Sequence, residues 1–391
     1  MLIRHINGRN AWNPLNAGTS ARRWCATVLV LSLTLAGGWR MHQDTGSDAQ
    51  GAGAASVRDS ARSVDVTFTG VGDFELNGTL LLPPRDGGRR LPAVVLLPGS
   101  GPTDRDGNQP PLFRTEVLKS IAERLAEEGV ASLRFDKRCC TVYAPRWPKD
   151  PESINALFGW EEFSGDVHAA FEFLAAHEAI DPARIAILGH SEGGLLAIQV
   201  AHDRSDAETR PAGLILCGTA GRTLDKVIPG QVRASLQRSG LGGPRAEEIM
   251  TGLDRAIAAV RAGDPLPDDV PQALKPLFNA TILDLLHAYL TVDPTILAAS
   301  VAGPVLIING ADDIQVSSSL DTPALVAAFG ARQGDADLVE VLIVPNTSHN
   351  LKTVEDREDA GIDGPVAPIV LERVAAWSRE HLAAKGDPSP E

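Results

Sequence analysis

Cysteine is scarce in this chain of 391 residues, with four in all: Cys25, Cys139, Cys140 and Cys217. None of them forms a Cys-x-x-Cys pair, which argues against a zinc site built on cysteine pairs. So few cysteines also exclude a disulfide scaffold. If a leader carrying Cys25 is removed, an odd number remains, and at least one thiol is then unpaired or bonded to another molecule.

Basic residues are fewer than acidic residues. The chain has 36 Lys and Arg against 50 Asp and Glu, a formal net charge of −14, and no basic cluster offsets it. A surface of this kind does not bind phosphate backbones, so nucleic acid is excluded as a partner. Hydrophobic residues make up 43% of the chain and charged residues 22%, which is typical of globular proteins with a sizeable core. The length fits one large domain or two ordinary ones.

A long apolar run is lacking, and the apolar stretch near the start of the chain is short. Four arginines precede an acid-free stretch at residues 24–38, which ends in Ala-Gly-Gly, the layout of an export signal. Up to Trp39 the stretch has 16 residues, and a helix of that length spans roughly 24 Å of a hydrocarbon core of about 30 Å. The length favours a cleaved signal within residues 1–40 and export to the periplasm or the extracellular space.

Two alternatives remain for this stretch. The first is a retained anchor that attaches the protein to a membrane through residues 24–39, with Trp24 and Trp39 at the two interfaces. The second is a buried core helix. Residues 41–63 are rich in Gly, Ala, Ser and Asp and contain almost no large apolar residues, so we predict a disordered tether there.

Residues 64–391 show the pattern of one α/β domain. Apolar or alternating runs predict eight strands, at 64–68, 74–82, 93–97, 130–135, 185–188, 213–217, 304–308 and 339–344. Helical spacing between and after them predicts helices at about 115–128, 163–176 and 365–382. The first two strands are expected to pair antiparallel at an edge, and the repeated β-α units predict a mostly parallel sheet covered by helices on both faces.

The segment between the sixth and seventh strands contains no strand pattern. Residues 222–293 instead show helical spacing, and we predict a helical cap that lies over the carboxyl edge of the sheet. Seven large apolar residues in this segment suggest an apolar substrate-binding surface: Leu236, Leu241, Ile249, Met250, Leu274, Leu277 and Phe278. The alternative is that they pack the core of the cap itself. Residues 139–160, which are rich in Pro and Trp, are expected to lie beside this cap at the same edge of the sheet.

The clearest chemical motif is Gly-His-Ser-Glu-Gly-Gly at residues 189–194. It follows a short apolar strand and opens a helix-type run, which is the context of a G-x-S-x-G nucleophile elbow. Gly189 and Gly193 lack a Cβ, so strand and helix can approach while Ser191 holds a strained backbone that presents its hydroxyl. The alternative is a glycine-rich turn in which the serine caps the helix.

A serine nucleophile needs a base and a carboxylate that orients the base. Of the nine histidines, His349 lies in a loop directly after an apolar strand, at the sheet edge where ligands bind. His190, inside the elbow, is expected to point away from the serine. Two adjacent aspartates, Asp312 and Asp313, follow the seventh strand, and spacing alone does not choose between them. A rival acid is Asp225, after the sixth strand, and the alternatives for the aspartate pair are a helix cap or a metal ligand.

The oxyanion produced by serine attack needs two backbone N–H donors. The first is that of Glu192, at the start of the helix after the elbow. The second is expected in the loop Gly-Ser-Gly-Pro at residues 99–102, where small residues let the backbone approach a carbonyl oxygen. Ser100 is the first choice for this donor and Gly101 the second, and the alternative for this loop is a plain glycine turn.

Together these motifs resemble the α/β-hydrolase superfamily, and particularly bacterial serine esterases related to dienelactone hydrolases. The resemblance covers about residues 64–382. It rests on the Gly-Ser-Gly-Pro and Asp-Arg-Asp loop at 99–106, the Arg-x-Asp-Lys-Arg strand end at 134–138 and the elbow at 189–194. It also selects Asp313, through a Gly-x-x-Asp-x-Gln-Val segment at 310–316, and matches the loop that ends in His349. The sequence departs from its relatives at Cys139-Cys140, where they usually have a glycine after Asp-Lys-Arg.

The resemblance implies a serine carboxylic ester hydrolase with an eight-stranded sheet, the triad Ser191, Asp313 and His349, and a small-molecule ester as substrate. No cofactor or metal is expected, since the triad supplies the nucleophile and the proton shuttle. A peptidase, thioesterase or acyltransferase would use the same triad, and a non-catalytic binding protein of the same fold is a further alternative. The oligomeric state is left open.

Overall fold

The computed structural model describes residues 61–383 apart from 85–87, 206, 208, 333, 336–337, 356–358 and 360. The predicted export signal at 1–40 and nearly all of the tether at 41–63 lie outside the described residues. Within the described ranges, no helix is both long enough and apolar enough to cross a bilayer.

Eight strands form one sheet in the order β1-β2-β4-β3-β5-β6-β7-β8. Their bounds are Arg62–Thr69 (β1), Glu75–Leu82 (β2), Leu91–Leu97 (β3), Ala131–Phe135 (β4), Ile180–His190 (β5), Leu214–Cys217 (β6), Val305–Gly310 (β7) and Val339–Val344 (β8). β2 pairs antiparallel with both β1 and β4, and the remaining pairs are parallel. The predicted fold class is therefore confirmed, although β1 begins at Arg62, two residues before the predicted start.

Ten α-helices lie among the described residues: Val117–Glu127 (α1), Pro151–Leu157 (α2), Trp160–Ala175 (α3), Glu192–Asp203 (α4), Leu224–Arg238 (α5), Gly243–Ala262 (α6), Leu283–Thr291 (α7), Pro294–Ala298 (α8), Asp321–Gly330 (α9) and Pro368–Leu382 (α10). Helix α9 was not predicted. Its sequence, Asp-Thr-Pro-Ala-Leu-Val-Ala-Ala-Phe-Gly, is apolar on most sides, so it lacks the one-sided spacing that indicates a helix. The segment at 139–160 contains a 3₁₀ turn, Thr141–Arg146, and α2.

Helices cover both faces of the sheet, because side chains of each central strand alternate between two cores. On β3, Val94 and Leu96 pack with α1 and α10, while Val95 and Leu97 pack with α3, α4 and α9. Since both faces are buried, the central strands are mainly apolar, with polar exceptions that include Ser132 and Arg134 on β4 and Asn309 on β7. Their carboxyl ends meet at one edge, and this edge carries the loops that hold the polar residues discussed below.

Helices α5, α6 and α7 occupy the segment between β6 and β7, as predicted. They have a core of their own, formed by residues that include Leu236, Ile249, Met250, Leu274, Leu277 and Phe278, with Leu241 packed against it. Of the seven apolar residues expected either to bind substrate or to pack this core, only Leu277 also lines the cavity beside Ser191. The packing alternative therefore holds for the other six.

Candidate active site

Ser191 stands between the end of β5 and the start of α4 with a left-handed backbone conformation, φ 55° and ψ −118°. This region is unfavourable for a residue with a side chain and is held only when the surroundings fix it. The Ser191 N–H donates to the Cys217 carbonyl at 2.8 Å, and the Ser191 carbonyl accepts from the Gly194 N–H at 2.9 Å. The sharp turn predicted from the motif is present, and it places the serine in a cavity.

The glycines around Ser191 are required because neighbouring backbone lies against them. A Cβ on Gly189 would lie 2.2 Å from the Gly193 carbonyl carbon, and one on Gly193 would lie 2.5 Å from the Leu97 carbonyl oxygen. A Cβ on Gly194 would lie 1.9 Å from Thr219 Oγ1. Real Cβ atoms do not approach this closely, so α4 can pack against β3 and β6 only with glycine at these positions.

His349 and Asp313 meet at the same edge of the sheet. The His349 Nδ1–H donates to Asp313 Oδ2 at 2.8 Å, and both side chains are buried. The other carboxylate oxygen, Asp313 Oδ1, accepts from the N–H groups of Gln315 at 2.8 Å and Val316 at 2.9 Å. Because the carboxylate holds the proton on Nδ1, His349 Nε2 carries a free lone pair, and it has no hydrogen-bond partner among the described residues. Such a nitrogen can accept a proton.

The carbonyl of His349 is held by a second histidine, His190. Its Nε2–H donates to the His349 carbonyl oxygen at 2.8 Å, and the two ring centroids are 5.0 Å apart. The sequence predicted only that His190 points away from the serine; its contact with His349 was not predicted. Burial, and then the nearby His349, lower the pKa of His190 to about 4, so it is neutral at pH 7.

Gly218, directly after β6, lies against the imidazole of His349. Its φ is +57°, and a Cβ there would lie 3.2 Å from His349 Nδ1 and 3.3 Å from Cε1. A side chain would therefore displace the ring. Sequence reasoning missed this residue because a single glycine after a strand also occurs in ordinary turns.

The loop after β3 lies directly against the elbow. A Cβ on Gly99 would lie 3.4 Å from Ser191 Cβ, and Ser100 lines the same cavity as Ser191 and Glu192. The Ser100 carbonyl accepts from Gln109 Nε2 at 2.8 Å and from the Thr103 hydroxyl at 2.9 Å, which fixes the peptide that follows it. Gly101 has φ +82°, and its carbonyl accepts from Cys139 Sγ at 3.2 Å.

A buried ion pair ties this loop to the elbow and to the end of β4. Lys137 Nζ donates to Glu192 Oε1 and, at 3.2 Å, to the Gly99 carbonyl oxygen. Burial by itself lowers the pKa of Lys137, but the Glu192 carboxylate outweighs it and the pKa is raised. Lys137 belongs to the Asp-Lys-Arg motif noted above, for which the sequence indicated no role. The structure gives it one: it connects the two segments that carry the candidate oxyanion donors.

The cavity beside Ser191 is closed on the far side by the cap. It holds about 740 Å³ of space free of protein atoms, the open solvent at its mouth included. Most lining side chains are apolar: Leu195, Ala220, Leu224, Val227, Ile228, Val232, Leu277, Leu286 and Val316. The polar ones are Ser100, Ser191, Glu192, Gln231, Tyr289 and Gln315. Gln231 Nε2 donates to the Gln315 carbonyl at 2.9 Å, which links α5 to the loop carrying Asp313.

Other reactive groups do not compete with Ser191. Burial raises the pKa of Cys140 and that of Cys217 to about 12, so both thiols stay protonated at neutral pH. No disulfide forms among the described residues, in agreement with the separation of β4 and β6 by two strands. One cluster within the described ranges, Glu340, Glu380 and His381, has the spacing of metal ligands, but it lies on β8 and α10 and Arg373 already pairs with both carboxylates.

Comparisons with known proteins agree with this architecture. The sequence model of the alpha/beta hydrolase family matches residues 94–360. The esterase EstD of Thermotoga maritima is 26% identical over 322 residues, which are 82% of this chain and 68% of EstD. The Pyrococcus furiosus esterase Pf2001 superposes with a TM-score of 0.52 at 17% identity, over 83% of this chain and 92% of that one. Est1E of Butyrivibrio proteoclasticus with bound ferulic acid gives 0.50 at 16% identity, over 82% and 100%. At these identities the two structures show a shared fold.

Proposed function

The chain belongs to the alpha/beta hydrolase family, and on that basis we propose that it is a serine hydrolase that cleaves carboxylic esters of small molecules. The observation that carries the proposal is the orientation of His349. Its Nδ1–H is held by Asp313, its Nε2 is buried without a partner among the described residues, and its carbonyl is bonded to His190 of the elbow. A base in the correct tautomer next to a strained serine is the arrangement that nucleophilic acyl transfer requires. The similarity to EstD, an esterase, supports the choice of esters.

The proposed reaction has two steps. Ser191 Oγ attacks the ester carbonyl carbon while His349 Nε2 takes the hydroxyl proton, and the carbonyl oxygen becomes an oxyanion. The N–H groups of Glu192 and Ser100, with Gly101 as the alternative to Ser100, donate to that oxyanion. His349 then protonates the leaving alcohol, and an acyl group remains on Ser191. In the second step, water activated by His349 releases the acid and restores the serine.

Asp313 and His190 act through His349 in this scheme. Asp313 fixes the tautomer and stabilises the imidazolium that forms when His349 takes the proton. His190 is neutral and holds the backbone of His349 through its carbonyl. Because His190 brings no positive charge of its own, it does not oppose protonation of the catalytic ring.

The experiment that tests the proposal is the substitution Ser191→Ala, assayed with 4-nitrophenyl esters of short acids. We expect kcat to fall by a factor on the order of 10⁶, the size found when the nucleophile of a serine hydrolase is removed. Ser120→Ala, which removes a helix hydroxyl bonded to the Glu116 carbonyl, is the matched control and should keep full activity. Hydrolysis by the Ser191→Ala enzyme at the wild-type rate would remove the assignment.

Two measurements separate this function from its alternatives. Rates on matched esters, thioesters and peptides, with and without an acceptor alcohol, distinguish an esterase from a thioesterase, a peptidase or an acyltransferase. A fluorophosphonate probe that labels the wild type but not the Ser191→Ala enzyme excludes a non-catalytic binding protein. No labelling of the folded wild type would instead favour that binding protein.

A further inference from the structure

One polar group in the cavity has no role in the reaction just described. The hydroxyl of Tyr289, on α7 of the cap, is buried and has no hydrogen-bond partner among the described residues. Tyr289 nevertheless lines the cavity that contains Ser191. Burial of an unpaired hydroxyl is unfavourable. An unpaired hydroxyl on a residue that lines the cavity of the candidate nucleophile therefore points to a bound molecule that supplies the missing partner.

The position of this hydroxyl is fixed by packing on both sides. The Tyr289 ring packs edge-on against Trp160 at the start of α3, with centroids 5.8 Å apart and an angle of 84° between the planes. Tyr289 also belongs to the core cluster that includes β3, β5 and α3, although its helix is part of the cap. Leu286, one helical turn earlier, lines the same cavity. The hydroxyl is therefore presented by a rigid contact between cap and sheet domain.

Two other polar side chains that line the cavity are already engaged. Glu192 is held by Lys137, and Gln231 by the Gln315 carbonyl. The Tyr289 phenol remains protonated, since burial, then the charge of Glu192 and a side-chain interaction with the same carboxylate, raise its pKa well above the ordinary value. A protonated phenol can donate a hydrogen bond. Most of the other side chains that line the cavity are apolar and offer it no acceptor.

We propose that Tyr289 forms a polar subsite for an oxygen atom in the substrate chain. The preferred substrates are then esters whose acyl or alcohol group is apolar except for one ether, hydroxyl or keto oxygen. This inference rests on the proposed ester hydrolysis and names its substrate class. The Tyr289 hydroxyl donates to that oxygen, while the apolar residues of α5 and α7 contact the carbon atoms around it. Esters of plain alkyl chains fill the same space but leave the hydroxyl unpaired.

The test uses ester pairs that differ only by replacement of one methylene with oxygen. 4-Nitrophenyl butanoate and 4-nitrophenyl methoxyacetate place the change in the acyl chain, and butyl acetate and 2-methoxyethyl acetate place it in the alcohol. For each pair, the ratio of kcat/KM for the oxygen ester to that for the alkyl ester is measured in the wild type and in Tyr289→Phe. Comparing the ratio between enzymes cancels the different intrinsic reactivity of the two esters.

We expect the ratio for at least one pair to fall about three- to tenfold in Tyr289→Phe, the loss of one neutral hydrogen bond, with the alkyl ester unchanged or faster. Tyr143→Phe is the matched control, since Tyr143 is the other of the two tyrosines and its hydroxyl accepts the Asn77 N–H at 2.6 Å. Its two ratios should equal those of the wild type.

Unchanged ratios for both pairs in an active Tyr289→Phe enzyme would overturn the subsite. Equal slowing of both members of each pair would also overturn it, because the hydroxyl would then serve the ester group itself. Fluorophosphonate labelling of Ser191 in every variant keeps this result separate from the proposed function. Labelled, active enzyme with unchanged ratios contradicts the subsite alone, whereas absence of labelling and hydrolysis in the wild type contradicts both proposals.

Discussion

Two neighbouring aspartates in the same loop have different surroundings. Both oxygens of Asp313 are engaged, one by the backbone N–H groups of Gln315 and Val316 and the other by His349. Asp312, one residue earlier, is half-buried, and its N–H donates to the Thr347 carbonyl at 3.1 Å. The turn after β7 therefore directs the Asp313 carboxylate at the histidine. The resemblance selected the same residue.

Asp313→Asn is expected to lower kcat by a factor on the order of 10⁴. The two backbone N–H groups require an oxygen at the Oδ1 position, so the new NH₂ group faces His349 Nδ1. The imidazole then carries its proton on Nε2 and cannot accept one from Ser191. Asp312→Asn is the matched control and should retain wild-type kcat. Similar losses in the two variants would contradict the assignment.

His190 makes the fold sensitive to acid. Its pKa is about 4 in the folded protein against an ordinary value of 6.5, so between these values the unfolded chain binds more protons. The contribution of neutral His190 to stability is therefore complete above pH 6.5 and is lost as the pH falls towards 4.

We predict that this single residue lowers the free energy of unfolding by roughly 3 kcal/mol when the pH falls from 7 to 4. Urea unfolding of the wild type and of His190→Gln at several pH values in this range measures the effect. The glutamine amide reaches the position of Nε2 and can still donate to the His349 carbonyl, but it does not titrate, so the unfolding free energy of the variant should depend less steeply on pH. Parallel curves for the two proteins would show that His190 does not carry the effect.

At the scale of elements, three segments meet at one buried ion pair. Lys137 follows β4, Glu192 begins α4, and the Gly99 carbonyl belongs to the loop after β3. Buried ion pairs contribute little net stability, but removal of one partner leaves the other charge without compensation. The pair therefore matters less for its own energy than for fixing the distance between the two segments that carry the candidate oxyanion donors.

Lys137→Met should lower the free energy of unfolding by about 3–5 kcal/mol, because Glu192 is left buried and unpaired. The double variant Lys137→Met with Glu192→Gln removes the orphaned charge and should recover most of that loss. Denaturant unfolding of the two variants beside the wild type measures both effects. A single variant as stable as the double variant would show that Glu192 is not held as a buried charge.

At the scale of the whole molecule, the described fold begins at the edge strand β1. All eight residues of β1 pair with β2, and Phe68 packs against Phe135 and Phe173 with ring centroids 5.5 and 5.4 Å away. The strands and helices of the described fold lie between Arg62 and Leu382. We propose that residues 1–40 serve export, as the arginines and the short apolar stretch suggest, and that the described domain is stable and active without them.

Deletion of residues 1–40 should therefore leave the free energy of unfolding and kcat/KM unchanged and abolish export. Fractionation of cells that produce the full chain or the shortened chain measures the location. Deletion of residues 1–70 is the contrasting variant, since it removes β1 and exposes β2, and we expect it to lose stability. Export of the shortened chain would contradict a signal role, and retention of the full chain in the membrane fraction would favour the anchor.

The sequence alone determined the strands, several of the helices and much of the candidate site. Apolar and alternating runs predicted all eight strands, because strands buried on both faces need continuous apolar runs and strands buried on one face need alternation. The elbow at Ser191 was also visible, since strand, turn and helix follow one another within a few residues. Local patterns of this kind depend on neighbours in the chain, and a sequence displays such neighbours directly.

Only the tertiary structure decided which distant residues support this site. Four residues act through a contact with a segment far along the chain, and nothing in their local sequence specifies that partner. They are Lys137, His190, Gly218 and Tyr289. A glycine, a buried lysine or a tyrosine on a helix fits many roles. Its role follows from what the packing of the sheet and the cap places beside it, and that packing depends on the whole chain at once.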